Sequence, residues 1–131
     1  MMDKKKILIV DDEEDIIDTL KFRFEQEEFE VITAASGYEA LGAVRVNEPD
    51  LVVLDVMIPQ ENGYRVSRLI KEDVKNGKFS KEIKVLLLTA RRLDNNKERE
   101  TSFLEFSQAD LMMYKPFEMQ ELLNNIYALL A

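Results

Sequence analysis

The feature that most restricts this chain is a rhythm of short, unbroken apolar runs, each stopped by a polar residue. Lys6-Ile7-Leu8-Ile9-Val10 meets Asp11-Asp12, and Leu51-Val52-Val53-Leu54 meets Asp55. Lys84-Val85-Leu86-Leu87-Leu88 meets Thr89, and Leu111-Met112-Met113-Tyr114 meets Lys115-Pro116. Runs without polar alternation suit strands buried on both faces, and such strands need cover from both sides. Glu30–Ala34 reads as one further, shorter strand. Between the strands the period changes. Residues 15–28 place Ile16, Ile17, Leu20 and Phe24 on one helix face with acids opposite. A second helix is expected over 36–47, with Ala40, Leu41 and Val44 inward, a Ser36/Glu39 capping box at its start and Pro49-Asp50 beyond its end. Asn62-Gly63 is a turn signal before a third helix carrying Val66, Leu69, Ile70 and Val74, which Asn76-Gly77 breaks. Residues 94–107, with Phe103, Leu104 and Phe106, predict a fourth helix. Residues 118–130, with Met119, Leu122, Ile126 and Leu129 at helical spacing, predict a fifth. Strand and helix alternate five times. The expected fold is therefore α/β, a three-layer, doubly wound domain around a parallel sheet, spanning residues 1–131 as one unit.

Composition narrows the chemistry. The 131 residues include no Cys and no His, which removes disulfides, thiolate nucleophiles, histidine triads and His- or Cys-ligated metals from this chain. Any metal must be a hard cation held by oxygen. Eighteen basic against 26 acidic residues give a net charge of −8, which disfavours nucleic acid and anionic membrane and favours a cation or a basic partner. Solubility alone also accounts for such a charge. No apolar run approaches the roughly 20 residues of a membrane span. The start, Met1-Met2-Asp3-Lys4-Lys5-Lys6, leads into only four apolar residues and does not read as a secretory signal. A cytoplasmic location is the expectation.

In open parallel sheets, ligands bind at the carboxyl ends of the strands. Only the residues ending each strand are then candidates: Asp11 and Asp12 on the first, Asp55 on the third, Thr89 on the fourth and Lys115 on the fifth. Three carboxylates crowded together repel unless a cation sits among them or one takes a proton. With oxygen donors alone, Mg²⁺ is the natural occupant, and Mn²⁺ is possible. Lys115 could pair with Asp55 and later with a phosphoryl group, to which the Thr89 hydroxyl could donate. These parts describe phosphoryl transfer to an oxygen nucleophile. Taken singly, each has a plainer reading. Asp11-Asp12 could simply cap the following helix, Lys115 could be a surface lysine, and Glu13-Glu14-Asp15 complements a helix dipole.

Four ordered motifs carry a resemblance: Ile7-Leu8-Ile9-Val10-Asp11-Asp12, Leu54-Asp55-Val56-Met57-Ile58-Pro59 with Gly63, Leu88-Thr89-Ala90, and Lys115-Pro116-Phe117. The chain resembles the response regulator receiver domains of two-component signalling, from about Lys5 to Leu130. The resemblance implies the flavodoxin-like (βα)5 fold with strand order 2-1-3-4-5. It implies that Asp55 accepts a phosphoryl group from a sensor histidine kinase or phosphotransfer protein. It further implies that Asp11, Asp12, Asp55 and the Met57 carbonyl hold Mg²⁺, and that Thr89 and Lys115 bind the phosphoryl group. A cis peptide before Pro116 is also expected. Such a module is not a conventional enzyme; it catalyses its own phosphorylation and slow autodephosphorylation, tuned by Met57 and Arg91. It would reach a downstream target through the fourth helix, fifth strand and last helix, as a monomer or a phosphorylation-dependent dimer, either free-standing or as part of a longer protein.

Departures from the family pattern accompany the match. The aromatic usually found three residues before the lysine is Met112 here, with Tyr114 nearby and Phe106 as another candidate for the switch. Gln108 stands where Gly is usual, and the stretch 76–82 looks long. Two other functions compete. A pure interaction module of receiver fold would not need the intact Asp12, Asp55, Thr89 and Lys115. A haloacid-dehalogenase-like phosphohydrolase would want an acid/base Asp where Met57 stands. Nucleotide binding lacks a Gly-rich phosphate loop. Leu123, Tyr127 and Leu130 on the last helix read either as deeper packing or as a partner contact.

Overall fold

The computed structural model describes residues 4–90 and 96–131. In chain order the elements are β1 (Lys6–Val10), α1 (Glu14–Gln26), β2 (Glu30–Ala34), α2 (Gly37–Asn47), β3 (Leu51–Asp55), α3 (Gly63–Lys75), β4 (Lys84–Thr89), α4 (Lys97–Ser107), β5 (Leu111–Tyr114) and α5 (Met119–Leu130). All pairings are parallel, and the order is β2-β1-β3-β4-β5. This is the flavodoxin-like arrangement of the sequence expectation.

The apolar runs divide between two cores as a period of two requires. Leu8, Val10, Val52, Leu54, Val85 and Leu87 face α2 and α3. Ile7, Ile9, Leu51, Val53, Leu86 and Leu88 face α1 and α5. All twelve side chains are buried. At roughly 1.5–3 kcal/mol for each fully buried aliphatic side chain, this sandwich supplies the main drive for folding. No helix among the described residues is long and apolar enough to cross a membrane.

Several helix ends differ from their sequence signals. α1 stops at Gln26 rather than at 28, because Glu28 takes a left-handed φ of 68°. The Phe29 N–H returns to the Phe24 carbonyl and the Glu28 N–H to that of Glu25, while the Phe24 and Phe29 rings meet edge to face. This is a Schellman stop without its customary glycine, hence invisible to a search for Gly. At α2, Ser36 Oγ accepts from Glu39 N–H, but the Glu39 carboxylate accepts from Ala35 N–H, one residue before the cap. α4 begins at Lys97 after an Asn96 cap; positions 94 and 95 of the expected helix lie outside the described residues. Gln108, in the place where Gly is usual, adopts φ 58° at the end of α4. Leu123 is buried in the core, which resolves its reading as packing rather than partner contact.

Candidate functional site

β1, β3, β4 and β5 deliver their final residues to one edge of the sheet. Asp11 follows β1 directly, and its N–H bonds the Ala34 carbonyl at the end of β2. Asp55 ends β3, opposite Leu88 in register, with Thr89 one step further along β4. Lys115 follows β5, and its N–H is fixed by the Thr89 carbonyl at 2.8 Å. The Lys115–Pro116 peptide is cis. Gly63 closes the edge from beneath. Its N–H bonds the Val56 carbonyl at 2.9 Å, and a Cβ there would lie 2.6 Å from both the Asp55 carbonyl oxygen and Val56 Cα. Only glycine lets α3 begin this close to the strand end.

Asp11 is 1% exposed and Asp55 5%, while Asp12 is exposed. The Lys115 ammonium donates to Asp11 Oδ2 at 3.1 Å and to Asp55 Oδ2 at 3.2 Å. The second oxygens accept backbone N–H groups, from Glu13 to Asp11 Oδ1 at 2.9 Å and from Met57 to Asp55 Oδ1 at 3.1 Å. Asp11 is thus tied to lysine and turn. Neither it nor Asp12 is the N-cap of α1, a position held by Glu13 without a side-chain bond. One cation shared by two carboxylates leaves negative charge uncompensated. Burial, the largest influence, pushes the Asp55 carboxyl above its ordinary range, and the Asp11 charge adds to that; the Met57 N–H and Lys115 oppose without cancelling. For Lys115, burial is again the largest single influence and works against the ammonium. Its bonds and proximity to Asp11 and Asp55 together outweigh burial, so its pKa lies above the usual lysine value.

Asp11, Asp12 and Asp55 each offer a carboxylate oxygen, all within 4.8 Å of one another. An all-oxygen donor set with excess negative charge and one exposed member fits a hard divalent cation such as Mg²⁺, which keeps several waters. Chemically, the edge combines buried carboxylate oxygens, an acidic cluster that fits a cation and a fixed ammonium.

The sequence candidates Asp11, Asp12, Asp55 and Lys115 therefore converge. Thr89 is wholly buried at the adjacent strand end, and Met57 contributes its N–H while its side chain points outward at 64% exposure. Arg91 lies outside the described residues. Phe106 sits away from this edge, under the Arg68 guanidinium of α3 at 5.0 Å. Sequence reasoning paired Lys115 with Asp55 alone. The bond to Asp11 joins residues 104 positions apart, and no local spacing announces it. Also missed was Tyr64, 3% exposed, whose ring stacks on Phe103 of α4 and whose hydroxyl meets Met112 of β5.

Known proteins share both the sequence and the fold. The family model of the response regulator receiver domain matches residues 7–127. The chain is 37% identical over 126 residues to the alkaline phosphatase synthesis transcriptional regulatory protein PhoP of Bacillus subtilis, covering 96% of this chain and 48% of that protein. It spans about half the length of the curated relatives it matches. Among solved structures, it is similar to a CheY-like receiver domain protein from Methanospirillum hungatei, with a TM-score of 0.83 and 26% identity over 98% of this chain and 94% of that one. It is also similar to the response regulator TrrA of Thermotoga maritima, solved in complex with Mg²⁺–BeF, with a TM-score of 0.78 and 33% identity over 95% of this chain and 98% of that one.

Proposed function

This chain belongs to the response regulator receiver domain family, and we propose that it is a phosphorylation-switched signalling module whose Asp55 accepts a phosphoryl group from a sensor histidine kinase or phosphotransfer protein. The observation that carries this reading is the Lys115 ammonium shared between Asp11 and Asp55. It fixes a nucleophilic carboxylate at a strand end and leaves its charge only partly balanced. A carboxylate oxygen of Asp55 attacks the phosphorus of a phosphohistidine. The new P–O bond forms as the P–N bond breaks, and the electron pair stays on the imidazole nitrogen, which leaves as neutral imidazole once protonated. The product is an acyl phosphate. Lys115 gives its charge, and Thr89 its hydroxyl, to the phosphoryl oxygens. Asp11, Asp12, Asp55 and the Met57 carbonyl would hold Mg²⁺ or Mn²⁺, which supplies charge neutralisation between the carboxylates and the incoming phosphoryl group. Attack of water on the phosphorus releases inorganic phosphate and regenerates Asp55 slowly, at a rate that the residue types at positions 57 and 91 would tune. A downstream target, or a second phosphorylated copy, binds the face built by α4, β5 and α5.

Incubation with acetyl phosphate and Mg²⁺, followed by intact mass measurement, tests the reading. One phosphoryl adduct is expected, and none in Asp55→Asn. A wild-type protein that takes no adduct from acetyl phosphate or phosphoramidate would overturn it, and rapid turnover of a phosphomonoester would replace it with a hydrolase.

A further inference from the structure

With Met112 on β5, the question is what senses the state of Asp55 from within the fold. We infer that Tyr64 is the positioning residue that ties α4 and β5 to the β3–α3 turn. This inference rests on the phosphoacceptor reading of Asp55. Three observations carry it.

First, Tyr64 cannot move independently of the site. The Met57 N–H reads the Asp55 carboxylate directly at 3.1 Å. The Val56 N–H bonds the Leu88 carbonyl, and the Val56 carbonyl holds the Gly63 N–H, both at 2.9 Å. Gly63 has no clearance against the Asp55–Val56 backbone, so a shift of that turn moves the first turn of α3. Asn62 Oδ1 also accepts the Tyr64 N–H at 2.8 Å, fixing where the side chain departs.

Second, the buried ring of Tyr64 touches both elements that the site must inform. It stacks on Phe103 of α4, centroids 4.7 Å apart and planes 15° from parallel. Its hydroxyl donates to Met112 Sδ on β5 at 3.9 Å. A thioether is a weak acceptor on a flexible side chain, so this contact can be made and lost at little cost.

Third, α4 is held unequally along its length. Its last turn is clamped to α3, with Ser67 Oγ donating to the Ser107 carbonyl at 2.9 Å and Arg68 to that of Phe106 at 3.0 Å. Nearer its start it is held by side-chain contacts, the Phe103 stack and the Glu100 carboxylate accepting from Tyr114 at 2.7 Å. Displacing the Tyr64 ring therefore pivots α4 about its fixed end.

A core aromatic with no such duty would affect stability equally with and without a phosphoryl group. A positioning residue changes the difference between the two states. The test labels the methionine methyls with carbon-13 and records the Met112 signal before and after Mg²⁺ and beryllofluoride, with amide exchange across α4 in parallel. Wild type is expected to shift at Met112 and to change protection in α4. Tyr64→Phe, which keeps the ring and loses the hydroxyl, should shrink the Met112 shift. Tyr64→Leu should lose both responses while acetyl phosphate still adds one phosphoryl group to it. Phe103→Leu, should Tyr64→Leu fail to fold, should lose the α4 response alone. Phosphorylated variants that keep the full wild-type responses overturn the inference, as does a phosphorylated wild type with a silent Met112. Failure of wild type to take a phosphoryl group instead overturns the functional reading beneath it.

Discussion

Two lysine–aspartate pairs sit at opposite edges of the same sheet, and their surroundings separate architecture from chemistry. At the amino edge, Lys71 donates to Asp110 Oδ2 at 2.9 Å and to the Ile83 carbonyl at 3.0 Å, while the same Asp110 oxygen accepts the Val85 N–H at 2.8 Å. One positive charge meets one negative, and each group also has a backbone partner. The pair locks α3 to the starts of β4 and β5. At the carboxyl edge, Lys115 is divided between Asp11 and Asp55, and exposed Asp12 adds a third carboxylate within reach. A charge-balanced pair has no excess charge for an ion to neutralise. An unbalanced cluster is held in place at some cost in stability, and that is a cost a divalent cation would relieve.

The contrast breaks most visibly on removal of each lysine. Lys71→Met strands the Asp110 carboxylate in a half-buried setting and should cost about 3 kcal/mol in urea unfolding, with no recovery in Mg²⁺. Lys115→Met should cost at least as much in chelator, about 3 kcal/mol, because it strands the more deeply buried Asp11 and Asp55 carboxylates. Millimolar Mg²⁺ should return most of that loss, since a cation that binds only the folded site stabilises it by mass action. Losses that both ignore Mg²⁺ would erase the distinction between the two edges.

The same contrast governs how much was legible in the sequence. The apolar runs ended by Asp11, Asp55, Thr89 and Lys115 carry fold and site together, because burial on both faces forces a parallel sheet and a parallel sheet gathers its strand ends. The strand order came from the family resemblance, since periodicity says which segments are strands and not which are neighbours. Lys71, Asp110 and Tyr64 gave no warning. A lysine and a tyrosine within an amphipathic helix look like ordinary surface and core, and their partners lie 39 and 48 positions away. The stop of α1 at Glu28 was hidden for another reason: tertiary packing of Phe24 on Phe29 imposes a left-handed residue that local preference would give to glycine.

The finest test of the comparison replaces each aspartate by asparagine, with opposite signs expected. Asp110→Asn keeps an acceptor but loses the charge that Lys71 faces, and should cost about 1 kcal/mol. Asp55→Asn should instead gain about 1 kcal/mol at neutral pH in chelator, because burial and the Asp11 charge make its ionised form unfavourable in the folded protein. The folded carboxyl holds its proton to higher pH than the unfolded one. Well below the unfolded value of about 3.9, Asp55 is protonated in both states and carries no penalty. As pH rises from there through the elevated folded value, the unfolded chain releases its proton first, and wild-type stability falls relative to Asp55→Asn. The two proteins should therefore converge in acid and separate towards neutrality, with Mg²⁺ closing the gap from the wild-type side. Urea midpoints taken across that range decide the matter. A variant less stable than wild type in chelator at neutral pH, by a margin that does not change in acid, would mean that Asp55 is held as comfortably as Asp110 and that the carboxyl edge stores no imbalance for a cation to relieve.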